Sequence, residues 1–245
     1  MSSVATSHAM PRTRRRGLFF PAMGLLLLAS VVLGFWGTLF RPSQPLPLHQ
    51  QVHGIVVTAW FVLFAVQALL VAGGRTALHR RLGTFGVVLA VAVIVTSLHT
   101  MAQMPTQWRL GGIDVDARRG MVSMVLWGNF GALVAYATLL SRAIAMRTQA
   151  DAHKRLMLLA MFAIMSPALV RVFSLPVFAG LPAVPLTMAG LLALGAILVA
   201  YDLLTLRRVH RQTLWGVPFF LVVHLAPAYV LPGTAIDAAM LRMIW

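Results

Sequence analysis

Residues 50–71 read QQVHGIVVTAWFVLFAVQALLV, and this stretch decides the fold. It contains no acid and no base, and as a helix it is long enough to cross the hydrocarbon core of a bilayer. Its polar side chains are not scattered. His53, Trp60 and Gln67 follow one another at seven-residue intervals, and His49 stands one turn ahead of His53. At 3.6 residues per turn these positions share one stripe. A polar stripe on a membrane helix faces the interior of a bundle, not lipid.

Comparable apolar runs extend on both sides. The first span covers about residues 18–40, the second is the quoted stretch, and the third covers about residues 82–101. The fourth covers about residues 120–140, the fifth 156–178, the sixth 184–204 and the seventh 214–231. The chain is 60% hydrophobic over 245 residues, with a mean hydropathy of +0.86. Soluble domains lie nearer about 45–50% apolar. The expectation is an all-α, polytopic membrane helical bundle with about seven transmembrane helices. Residues 1–17 are then a basic cytoplasmic tail, residues 18–231 the bundle and residues 232–245 a C-terminal periplasmic tail. The fifth span contains Pro167 and is interrupted by Arg171 and Pro176, and residues 103–119 form the longest loop of the chain.

Twenty Lys and Arg stand against five acids, all Asp, for a net charge of +15. The basic residues fall in short connections between apolar runs, which is a membrane topology signal, so nucleic acid is not the partner. Fourteen lie at one set of span ends, including Arg12, Arg75, Arg142, Lys154 and Arg207, and five at the other, including Arg41, Arg109 and Arg242. The richer side belongs in the cytoplasm. That places the N-terminus inside and the C-terminus outside, in a bacterial inner membrane. The lipid bilayer is the first partner. Cysteine is absent, which removes thiolate ligands and disulfides. No glutamate is present, no His-Glu-x-x-His occurs, and a metalloprotease of that type is excluded.

Four histidines, His49, His53, His99 and His224, map to the arginine-poor half. Thr96, His99 and Gln103 share a face of the third span, so His53 and His99 are expected at matched depth on antiparallel neighbours. Two chemistries suit such a set. One is haem b held by two axial imidazoles in a bundle core. The other is a transition metal, Cu, Fe or Zn, coordinated by His49, His53, His99 and His224. Polar glue between helices satisfies the same side chains without a cofactor. Arg171, inside the fifth span, either snorkels to the interface or provides a counter-charge for a haem propionate or an anionic substrate. Asp202 is expected to pair locally with Arg207 or Arg208.

A second histidine set, His79, His153 and His210, lies in loops of the arginine-rich side. Headgroup contact is the simplest reading, and a second haem pair of His79 and His153 the sharper one.

The run Pro47-Leu48-His49-x-x-Val52-His53-Gly54 is continued by Trp60, Gln67, Gly74-Arg75 and Leu78-His79-Arg80-Arg81-Leu82-Gly83. His153-Lys154-Arg155-Leu156-Met157 and Arg171 follow. Over residues 47–171 this order resembles a bacterial integral-membrane family of the domain-of-unknown-function class. That family is distantly similar to membrane b-type cytochromes. The resemblance implies a multi-pass topology and suggests haem. The chain departs from the cytochrome pattern in carrying its inner histidines in loops.

The functional expectation is a redox-linked membrane protein with a histidine-lined site in the outer half, working with a respiratory or redox partner protein. A transporter or assembly factor with proton-relaying histidines, or a structural subunit of a membrane complex, is the alternative.

Overall fold

The computed structural model describes residues 12–42 and 45–244. Of the basic tail, residues 1–11 therefore lie outside the described residues, as does Trp245. Helix α1, Arg12–Phe35, runs into a π-helical turn, Trp36–Phe40. It is followed by α2 (Leu48–Ala72), α3 (Thr76–Leu110) and α4 (Arg119–Ala145). Next come α5 (Ala150–Ala163), α6 (Ser166–Val172) and a 3-10 turn, Pro176–Phe178. The chain closes with α7 (Ala183–Leu206), α8 (Arg211–Val230) and α9 (Ala235–Ile244).

Among the described residues the architecture is all-helical, and six helices are long and apolar enough to cross a membrane. The expected fifth span is a broken one. Helices α5 and α6 meet at a bend of 55°. Pro167 accounts for it: a proline lacks the N–H that would bond the carbonyl four residues earlier, here Ala163. The two halves together make up to a seventh span.

Helix α5 is the centre of the molecule. Leu156 and every residue from Leu158 to Ala163 are buried. A helix apolar on all sides is stable only where neighbours surround it, and α1, α4, α7 and α8 do so. Helices α2 and α3 form an outer hairpin, closed by Gly74 at φ +75°, a conformation that favours glycine. The outward face of α3, with Val87, Val88, Val91 and Val95 exposed, is the kind of surface lipid covers.

Three other expectations are corrected. Residues 103–110 are not loop, because α3 continues through Pro105 and Trp108 to Leu110. Residues 235–244 are not a tail. Helix α9 folds back on α4, where buried Asp237 accepts hydrogen bonds from Ser123 Oγ (3.0 Å), Trp127 Nε1 (2.9 Å) and the Gly233 amide (2.9 Å). Asp202 pairs with Arg155 across the bundle, not with Arg207 or Arg208. Arg155 Nε and Nη2 donate to one Asp202 oxygen at 2.8 and 2.5 Å.

Close approach of backbones sets the position of α8. A Cβ on Gly131 of α4 would meet the Val223 carbonyl oxygen at 2.1 Å. Only glycine permits that contact, and the next residue along α8 is His224.

Candidate functional site

The bundle has an arginine-rich end, where α3, α5 and α8 begin, and an arginine-poor end, where α2, α4 and α7 begin. A cavity of about 560 Å³ opens in the arginine-poor half. Its walls come from α1 and its π-helical turn and from α2, α3, α4, α6, α7 and α8, and they include His53, His224, Arg171, Asn129 and Thr100 with Met101, Met104 and Met188. A larger groove of about 840 Å³ lies outside, between α2, α3 and the side chains of Leu39, Pro42, Pro45 and Leu46. It has no histidine, acid or base among its walls, and its only polar side chains are Gln51 and Thr58.

His224 is buried, and its Nδ1 donates to the Ala163 carbonyl at 3.2 Å. That carbonyl is free because Pro167 has no N–H to give it. The break in the fifth span therefore creates the acceptor that orients a histidine sixty-one residues away. His53 is oriented by a side chain. Its Nδ1 lies 3.2 Å from Thr96 Oγ1, and that hydroxyl already donates to the Ala92 carbonyl at 2.8 Å. Thr96 can therefore only accept, so the network assigns the proton of His53 to Nδ1. Both rings are left with an unprotonated Nε2. Ligating histidines have this arrangement, one nitrogen anchored by a hydrogen bond and the other free.

Helix α2 packs on α1 and α3, whereas α8 packs on α4, α5 and α7. His53 and His224 thus reach one cavity from different helix groups. Arg171 lines the same cavity. Its guanidinium carbon sits 4.3 Å from the Phe35 ring centroid, and its Nη1 donates to the Pro167 carbonyl at 2.8 Å. No carboxylate pairs with it among the described residues. Thr100 Oγ1, also on the wall, is buried without a hydrogen-bond partner.

The four expected imidazoles do not gather into one set. Among the described residues no three His or Asp side chains converge as a metal site requires. His99 is exposed, and it meets His49 rather than His53, edge to face, with ring centroids 5.6 Å apart. The reason is rotational. Thr96 and His99 are three residues apart on α3, and it is Thr96 that faces His53. His49 Nε2 is buried and has no partner. The site therefore divides into a cavity set, His53, His224 and Arg171, and a rim pair, His49 and His99.

The polar stripe of the second span is confirmed in part. Trp60 is buried and edges onto Tyr136, with centroids 6.1 Å apart. Gln67 Nε2 donates to the His79 carbonyl at 3.2 Å, which is the helix-joining role. Sequence reasoning missed Thr96 as the partner of His53 and missed Ala163. A proline four residues after Ala163 was the available signal for the latter.

No family model matches the chain, and no curated protein or solved structure does so either.

Proposed function

We propose that this chain is a redox-linked protein of the bacterial inner membrane that holds haem b in the cavity of its arginine-poor half. One observation carries the reading. His53 and His224 line a single cavity, each with Nδ1 anchored and Nε2 free. The volume of about 560 Å³ lies within the range of about 300–1,000 Å³ of cofactor and ligand sites. His53 and His224 would hold the iron through their Nε2 atoms, and Arg171, with no carboxylate partner among the described residues, would pair with a propionate. Haem would supply one-electron exchange there. Thr96 and the Ala163 carbonyl orient the two imidazoles, and the methionine and aliphatic side chains of the wall exclude water.

The charge bias of the connections supports an orientation with this cavity toward the periplasm, where a redox partner protein would exchange electrons.

Visible absorption of the purified protein is the test. The expected result is a Soret band that shifts on reduction and is lost in both His53→Ala and His224→Ala. A colourless protein, or a full complement of haem in both variants, would overturn the reading.

A second reading rests on the rim pair. The edge-to-face approach of His49 and His99 and the unpartnered His49 Nε2 favour a non-haem ion there. Stoichiometric metal in a colourless protein, lost in His49→Ala, would select it.

A further inference from the structure

The arginine-rich end holds a second pair of imidazoles. The sequence places His79 and His153 in loops. The structure puts each one turn inside a helix, at the starts of α3 and α5. Their ring centroids are 6.3 Å apart with planes at 76°.

Each ring has a specific environment. His153 Nδ1 lies 2.8 Å from the Ala143 carbonyl and donates to it. Ala143 belongs to the last turn of α4, whose carbonyls lack helical donors, so His153 Nε2 is left with a free lone pair. His79 Nδ1 is buried and has no hydrogen-bond partner. Gln67 Oε1, on the side chain whose amide nitrogen holds the His79 carbonyl, is likewise buried and unpartnered. A buried polar atom without a partner costs free energy. Here two of them accompany an anchored imidazole.

We infer that His79 and His153 form a binding site for one copper(I) ion held between the two imidazoles. Neutral imidazole suits copper. With metal–nitrogen bonds of about 2.0–2.1 Å, two imidazoles on one ion have centroids separated by at most about 6.4 Å. The observed 6.3 Å calls for a nearly linear N–metal–N angle, which two-coordinate copper(I) accepts and tetrahedral zinc(II) does not. The hydrogen bond from His153 to a backbone carbonyl is the outer contact that fixes a ligating histidine.

Nearby positive charge does not close the site to a cation. Lys154 is paired with Asp151, and Arg155 with Asp202. Arg80, the neighbour of His79, is exposed. This site lies at the opposite end of the bundle from the haem cavity and is independent of it.

The test is metal binding by the full chain in lipid nanodiscs after chelator treatment. Zinc(II) and copper(I) are titrated separately against a competing chromophoric chelator. His79→Phe and His153→Phe keep a ring at the contact but remove both nitrogens, so the helices can still pack. His210→Ala, at the same end, controls for surface imidazole. The expected result is that each Phe variant loses one equivalent, or binds it at least tenfold more weakly, while His210→Ala retains it. Zinc(II), which needs a tetrahedral donor set, is the comparison ion. Failure of the wild type to bind copper(I), unchanged copper(I) binding in both Phe variants, or loss in only one of them would overturn the site.

Discussion

Thr96 Oγ1 accepts the Nδ1 proton of His53 at 3.2 Å while donating its own proton to Ala92 one turn below. The hydroxyl thus sets both the tautomer and the rotation of the ring. Thr96→Val keeps the shape and removes the acceptor. Loss of such an outer contact weakens ligand affinity by about 10–100-fold. On the proposed haem reading, titration of the variant with haem, followed at the Soret band, measures it. Affinity equal to wild type would remove Thr96 from the site.

Arg155 and Asp202 are both fully buried, and their pairing ties α5 to α7. Removing one partner leaves an uncompensated buried charge, at a cost of about 3–5 kcal/mol. Asp202→Ala and Arg155→Met should each lower the unfolding midpoint strongly. The double variant should recover much of the loss, because neither charge then remains. Unfolding of the four proteins in one detergent forms the cycle.

Asp237 holds α9 against α4 by accepting from Ser123, Trp127 and the Gly233 amide. Asp237→Ala leaves buried donors without acceptors, at about 1–3 kcal/mol. The prediction is selective release of α9. Limited proteolysis should cut near residues 231–234 in the variant before it cuts the bundle, and Trp127 emission should shift red. Unchanged proteolysis would show that apolar packing by Leu241 suffices.

His210 lies between α7 and α8, and its Nδ1 accepts the Gln212 amide at 3.1 Å, capping α8. Burial first, then the charge of Arg155, hold its pKa below the ordinary imidazole value. An imidazolium cannot accept that bond. The unfolded chain therefore binds more protons than the folded one between the ordinary value near about 6.5 and the lowered folded value. The stabilisation is present above about pH 6.5 and is lost as pH falls through the folded value. His210→Asn keeps a cap acceptor but does not titrate. It should flatten the acid side of a stability–pH curve relative to wild type, and parallel curves would refute the assignment.

The membrane helices were legible because lipid imposes a simple rule: a spanning segment must be apolar and satisfy its own backbone. Residues 50–71 announce α2 almost to the residue. Arg171 and Pro176 announced the weakness of the fifth span, but the break falls earlier, at Pro167. The site was legible only as residue types. His53, His224 and Arg171 do line one cavity, but His99, grouped with His53 by depth, faces His49 at the rim. Depth follows from counting residues. Azimuth depends on how a neighbouring helix is rotated and tilted, and residue counting does not contain that.

By itself, then, the sequence determined an all-helical chain whose long helices are apolar enough to cross a membrane, and the helix ends at which its charges gather. Those depend on local composition and on the 1.5 Å rise of a helix. Only the tertiary structure decided which groups meet. The Ala163 carbonyl meets His224 because Gly131 lets α8 approach α4 while Pro167 frees that oxygen. Arg155 reaches Asp202 because α5 passes through the centre of the bundle. Such pairings arise between segments far apart in the chain, where side-chain volume and backbone approach determine the outcome.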